Sequence, residues 1–260
     1  MSKILCIPDV HSRKFWRDAV SNNVDKVDKV IFLGDYLDPY QNEIEENPEL
    51  MECNNFYDSE NLLKMLEDIV LLKKNDSDKY VLLCGNHTCS YIWSEFDAAT
   101  RTDRKNWKKY HNFFLENLEY FNLSCVEGNY IFTHAGITNG WKQLYFPKLS
   151  ILELGKKLAS EKLNENAVEF GYLSAISVYR GGWYPDGSCE WADLREHINM
   201  ADSTNDNIIP KGENGIYQVF GHTQLKTPLI TNKWACLDCR KGFIIDTITH
   251  SIEDGSNSSL

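Results

Sequence analysis

The stretch V-I-F-L-G-D-Y-L-D-P-Y, residues 30–40, decides how the chain is read. Four apolar residues run into Gly34, and two carboxylates, Asp35 and Asp38, follow before Pro39. A continuous apolar run of this length, bounded by turn residues, predicts a strand buried on both faces. In open α/β sheets ligands bind beyond the carboxyl ends of the strands. Acids set at such an exit therefore point to a site.

Four more apolar runs end in the same kind of chemistry. I-L-C-I-P-D-V-H places Asp9 and His11 past a strand, and Y-V-L-L-C-G-N-H places Asn86 and His87. Y-I-F-T-H-A-G gives His134, and Y-Q-V-F-G-H-T gives His222. A single aspartate after a strand is ordinarily a turn residue or a helix cap. Here four of the seven histidines, three aspartates and an asparagine follow strands, mostly beside a glycine that lets the backbone turn sharply. His111, His197 and His250 read as structural histidines.

Carboxylate, imidazole and amide oxygen suit borderline divalent metals such as Mn, Fe, Zn or Ni. No thiolate joins the set, which argues against a structural zinc site. A carboxylate has two oxygens and can bridge two ions, and two ions about 3.5–4 Å apart can clamp a phosphoryl group. Asp35 is the candidate bridge.

The pattern around these runs fixes the class. K-I-L-C-I-P (3–8), K-V-I-F-L (29–33) and Y-V-L-L-C (80–84) predict strands separated by helices at 12–23, with Ser12 as N-cap, and about 52–74. Residues 90–121 and 141–178 read as helical insertions, and 123–136 as two strands joined at Gly128-Asn129. Runs at 216–222, 233–238 and 242–247 are strand-like. One domain over residues 1–250 is expected, with 251–260 a mobile tail.

Bulk properties narrow the function. The chain has 260 residues and a net charge of −11, a poor balance for gripping a nucleic-acid backbone over a broad face. There is no apolar run of about 18 residues to span a membrane and no secretory signal pattern. With eight cysteines in such a chain, reduced thiols and a cytoplasmic location are expected. Cys236 and Cys239 form a lone C-x-x-C without a second pair, which reads as core rather than metal or redox chemistry.

The order Asp-x-His, Gly-Asp-x-x-Asp, Gly-Asn-His, His, Gly-His resembles the calcineurin-like metallophosphoesterases. G-D-Y-L-D, G-N-H, T-H-A-G and F-G-H-T look most like the compact bacterial and viral serine/threonine phosphoprotein phosphatases. The resemblance implies an α/β fold of the four-layer type, a β-sandwich core flanked by helices with a dinuclear metal site at the strand ends. It implies one ion held by Asp9, His11 and Asp35, and a second held by Asp35, Asn86, His134 and His222, with manganese foremost among the metals named above. It further implies attack by a metal-bridging hydroxide, with His87 as general acid oriented by Asp38. The substrate would be a phosphorylated protein or a small phosphate ester.

Departures from the family pattern stand at three positions. Pro39 replaces a phosphate-contacting arginine, Thr88 a glutamate, and Gln224 a second histidine that the phosphoprotein branch also lacks. Arg180, in V-Y-R-G-G-W-Y-P-D-G, resembles that branch's substrate-side arginine, and E-W-A-D follows it. Arg13 and Arg101 are weaker stand-ins. Glu43, Glu45 and Glu46 read as a solvated loop. Two alternatives remain open: a nucleotide hydrolase using the aromatics of 90–121 and 179–191 to stack a base, and an inactive binding module on the same fold.

Overall fold

The computed structural model describes residues 2–96, 98–198 and 215–256. It is a mixed α/β structure with two sheets and flanking helices. The chain divides into two compact units, the first made of residues 1–121, 163–165 and 240–260, the second of 122–162 and 166–239.

In the first unit β1 (Lys3–Ile7) leads to α1 (Phe15–Asn23), β2 (Lys29–Phe32), α2 (Gln41–Glu46), α3 (Ser59–Asn75), β3 (Tyr80–Leu83), α4 (Asn86–Ile92) and α5 (Trp107–Glu116). β1, β2 and β3 are parallel neighbours, with Ile7 opposite Phe32 and Phe32 opposite Leu82. The three predicted strands are therefore present, and they exit side by side. Ile4, Leu5, Cys6 and Ile7 are all buried, as a two-face-covered strand requires. α3 buries Leu62, Met65, Leu66, Ile69 and Val70, the spacing of one helical face.

The helix expected from residue 52 starts at Ser59 instead. Asn54 and Asn55 compete locally: Asp58 accepts from the backbone N–H of Asn54 at 2.9 Å, and Asn55 from that of Tyr57 at 2.9 Å. Ser12 is no helix cap. It sits at φ +62, and α1 begins three residues later, after Lys14.

The short β4 (Phe121–Asn122) ends the first sheet beside β3, and in the second unit β5 (Cys125–Glu127) and β6 (Tyr130–Phe132) form the hairpin expected around Gly128. α6 (Asn139–Tyr145), α7 (Ile151–Ser160) and α8 (Leu194–His197) follow, then β7 (Tyr217–Phe220), β8 (Leu229–Ile230) and β9 (Trp234–Cys236). The sheet order is β5-β6-β7-β9-β8, with β6, β7 and β9 parallel. α7 opens on a capping box between Ser150 and Glu153. It also brings Gly155 close against Val126 and Ile131. Residues 141–178 are thus only partly α-helical, since 167–174 is a 3-10 segment.

The chain then returns to the first sheet through β10 (Phe243–Asp246) and β11 (Ser251–Asp254). The first residues of the expected mobile tail are an edge strand, paired Ser251 to Asp246 and Ile252 to Ile245. Asp246 holds the turn by accepting from the N–H groups of Ile248 and Thr249 at 2.8 and 3.0 Å. Residues 257–260 lie outside the described residues.

His197, at the end of α8, shows how the second unit's core tolerates a polar ring. It is packed beside Phe220 and Trp234, and its Nε2–H donates to the carbonyl of Ala135 at 3.0 Å. Burial pushes its pKa down to about 4, against the weaker opposing pull of that hydrogen bond. The unfolded chain, with an ordinary histidine near 6.5, takes up a proton that the folded chain refuses. The stability this contributes is fully present above pH 6.5 and is lost as pH falls toward 4. His197→Gln should flatten the fall of the urea midpoint between pH 7 and pH 5. Parallel curves for variant and wild type would show that another group sets the acid slope.

Candidate active site

In the first unit the exits of β1, β2 and β3 are zipped together by the main chain. The N–H of His11 donates to the carbonyl of Asp35 at 2.7 Å and that of Ser12 to Tyr36 at 2.8 Å. The Tyr36 hydroxyl donates to the carbonyl of Leu83 at 2.8 Å. Asp9, His11, Asp35, Asp38, Asn86 and His87 are all buried at these exits.

Two glycines make the crowding possible. A Cβ on Gly85 would lie 2.2 Å from Oδ1 of Asp35, and one on Gly34 would lie 2.6 Å from the carbonyl oxygen of Cys84. Gly34 also has φ +111, open to glycine and strained for other residues. The cavity left at position 85 is filled by the Asp35 carboxylate, whose Oδ1 accepts from the backbone N–H of His87 at 3.0 Å. Asp35 itself stands at φ +50, His11 at +40 and Asp38 at +61. Left-handed backbone at non-glycine residues costs of order 1–3 kcal/mol each and gathers at functional sites.

His11 donates Nδ1–H to the carbonyl of Leu37 at 2.7 Å, which fixes its tautomer. Its Nε2, left with a lone pair, stands 3.7 Å from Oδ2 of Asp35. Burial first, then the charges of His87 and two arginines against the pull of Asp35, holds the His11 pKa well below the usual range. A neutral imidazole lone pair and a carboxylate oxygen converging in a buried space are the donor set a divalent cation needs. His11, Asp35 and His87 bring ligand atoms within 4.8 Å of one another.

Asp38 is arranged differently. Its Oδ2 accepts from Nδ1 of His87 at 2.6 Å, and its Oδ1 accepts from the hydroxyl of Tyr91. That hydroxyl in turn accepts from the N–H of Asp103 at 2.8 Å. Burial raises the Asp38 pKa against the pull of His87 and Tyr91, and burial likewise raises that of Tyr91. Tyr91 was missed from the sequence although the signal existed. The expected helix began at residue 90, whereas α4 begins at Asn86 and so puts Tyr91 one turn beyond His87 on the same face.

In the second unit β6 and β7 deliver His134 and His222. Their ring nitrogens, Nε2 and Nδ1, are 3.1 Å apart, and the N–H of Gly221 donates to the carbonyl of His134 at 2.8 Å. His222 is again left-handed, at φ +64. Arg180 lies beside them: its guanidinium donates to Thr223 Oγ1 at 2.6 Å and forms an ion pair with Asp193 at 2.7 Å. Gln224, the residue in the position of a possible further ligand, is exposed.

Several residues take roles other than those expected. Glu43 is not part of a solvated loop. It binds Arg13 at 2.6 Å and Arg240 through a second pair, which lowers its pKa against the cost of burial. The aromatics of 90–121 are mostly core, with Tyr91, Trp93, Tyr110 and Phe114 buried. None of the eight cysteines is in a disulfide, and all are buried. The thiol of Cys236 donates to the carbonyls of Gly221 and Thr223. His111 stacks on Trp107 and contacts the Tyr91 carbonyl, and His250 is exposed in a turn.

Residues 2–225 match the family of calcineurin-like phosphoesterases, and the chain belongs to that family. It is a metal-dependent phosphoesterase of the hydrolase class. The fold is similar to a cold-active protein-tyrosine phosphatase of a psychrophilic Shewanella species, with a TM-score of 0.58, 15% identity, and coverage of 98% of this chain and 80% of that one. A second structure of a cold-active protein-tyrosine phosphatase gives 0.58, 14%, 98% and 78%. A protein serine/threonine phosphatase from Saccharomyces cerevisiae matches at 0.47, 15%, 97% and 79%, too loosely to argue from. No curated protein matches the chain.

The glycine at 85 offers a direct check. Gly85→Ala should displace the Asp35 carboxylate, lower bound Mn²⁺ measured by elemental analysis, and destabilise the fold by about 1–3 kcal/mol. Gly128→Ala, a hairpin position with open space around it but φ +60, should lose about 1–2 kcal/mol and no metal. Equal metal content in both variants would mean that the Asp35 position does not govern binding.

Proposed function

We propose that the chain hydrolyses phosphomonoesters, with phosphorylated serine or threonine side chains or small phosphate esters as substrates. Asp9, His11, Asp35, Asn86, His134 and His222 are the proposed holders of two divalent ions, manganese foremost. When bound, the ions polarise the phosphoryl group and acidify water. The buried thiols suit a reducing compartment, and the cytoplasm is the proposed location.

The observation that carries the reading is the 2.6 Å contact between Asp38 and His87, set beside the His11–Asp35 pair. A monoester of a serine or a sugar has a poor alkoxide leaving group, and a positioned acid speeds its departure by typically 10²–10⁴-fold. Asp38 holds the His87 ring through Nδ1 and leaves Nε2 for the imidazolium proton of a general acid. Nε2 then carries the proton that can be given up. Tyr91 holds the far oxygen of Asp38, so the carboxylate cannot rotate away. Arg180, steadied by Asp193 and Thr223, is proposed to contact substrate phosphate.

Purified protein with Mn²⁺ should cleave p-nitrophenyl phosphate faster than bis-p-nitrophenyl phosphate and should lose activity with chelator. His87→Asn should lower kcat on an alkyl phosphate about 10²–10⁴-fold while bound metal stays unchanged. Wild-type turnover in that variant would remove His87 from the mechanism. Preference for the diester would move the assignment to nucleotide chemistry.

A further inference from the structure

At the strand exits of the first unit, the described arginines differ in their partners. Arg13 and Arg240 share the carboxylate of Glu43, and Arg17 is held by Glu52 and Asp68. Arg101 faces no carboxylate among the described residues. Its guanidinium carbon sits over the ring of Tyr40, 3.7 Å from the centroid, where the ring quadrupole attracts it. Among the described residues its hydrogen bonds are long ones, 3.5 Å from Nε to the carbonyl of Asp38 and 3.5 Å to the hydroxyl of Thr100. The residue is half-buried and held at φ +63, a conformation that costs free energy and that Tyr40 and Asp38 help to fix.

Tyr40 connects this cation to the site. Its ring meets the imidazole of His11 edge-on at 5.4 Å, and His11 meets His87 at 5.0 Å. A guanidinium carries five donors in a planar fork that matches phosphate oxygens two at a time. Arg101 has most of that fork unspent, beside the His87–Asp38 pair.

We propose that Arg101, braced on Tyr40, binds the phosphate of the substrate and selects the dianionic monoester over the monoanionic diester. This rests on the phosphomonoesterase reading above. An unneutralised cation favours the ligand with the larger charge, so its loss weighs on the monoester most. A bidentate charged contact accounts for about a 10- to 100-fold effect.

The test compares wild type, Arg101→Gln and Arg101→Lys as full chains loaded with Mn²⁺. It reads KM and kcat on p-nitrophenyl phosphate and bis-p-nitrophenyl phosphate, and calorimetric binding of inorganic phosphate. Arg101→Gln should lower kcat/KM for the monoester about 10- to 100-fold, mainly through KM. It should weaken phosphate binding in step and change the diester less than about threefold. Arg101→Lys keeps the charge without the fork and should fall between the two. Unchanged monoester KM and phosphate affinity in both variants would overturn the proposal. So would equal losses on both esters, which would make Arg101 a brace for Tyr40 alone. If wild type cleaves neither ester, the phosphomonoesterase reading falls, and the phosphate titration still decides the role of Arg101.

Discussion

Everything at the candidate site follows from one steric fact: the carboxylate of Asp35 occupies the volume that a side chain at position 85 would need. For that to happen the exits of β2 and β3 must approach as closely as bare backbone allows, and Gly34 and Gly85 supply the room. The approach lets the His87 N–H reach Asp35, and the bond between them orients the acid. Parallel strands favour such an arrangement, because neighbouring exits arrive on the same side. The strain is visible in the backbone. Of eight described non-glycine residues with positive φ, five (His11, Ser12, Asp35, Asp38 and His222) lie at strand exits. Each is held there by neighbouring strands whose apolar burial outweighs its cost.

The two carboxylates of the opening stretch, three residues apart, have opposite duties. Asp35 turns back toward His11, with a nitrogen lone pair facing it. Asp38 turns toward His87 and Tyr91, with hydrogen-bond donors facing it. The difference lies in what surrounds each acid, not in the acids. Charge neutralisation is equally local: Glu43 gathers two arginines, Asp193 gathers Arg180 and Arg195, and Arg101 is left to an aromatic face.

Much of this was legible because apolar runs and turn residues are local signals. β1, β2, β3, β7, β9 and β10 coincide with short continuous runs, and the Gly128 hairpin with its turn. Elements that owe their form to partners were not legible. β11 contains one aliphatic residue, Ile252, and takes its register from β10 rather than from any pattern of its own. The start of α4 was hidden because Gly-Asn-His-Thr is a weak helix-forming sequence, favoured only once the strand exit fixes it. That error of phase also hid Tyr91. Glu43 looked like a surface acid because its two arginines lie far away in sequence. Asn86, His87 and the aspartates could be named from sequence, but the direction each side chain faces depends on tautomer and backbone angle.

The pairing of β1 with β10 joins Lys3 to Asp246, a partner far away in sequence. Until β10 exists, β1 has one bare edge. During synthesis β10 must therefore emerge before the first sheet can close. The second unit, made entirely of intervening sequence, is free to collapse earlier. Such long-range closure slows folding and leaves a sticky strand waiting. A shortened product that stops before β10 would keep the motif residues of every strand exit and still be a poor protein.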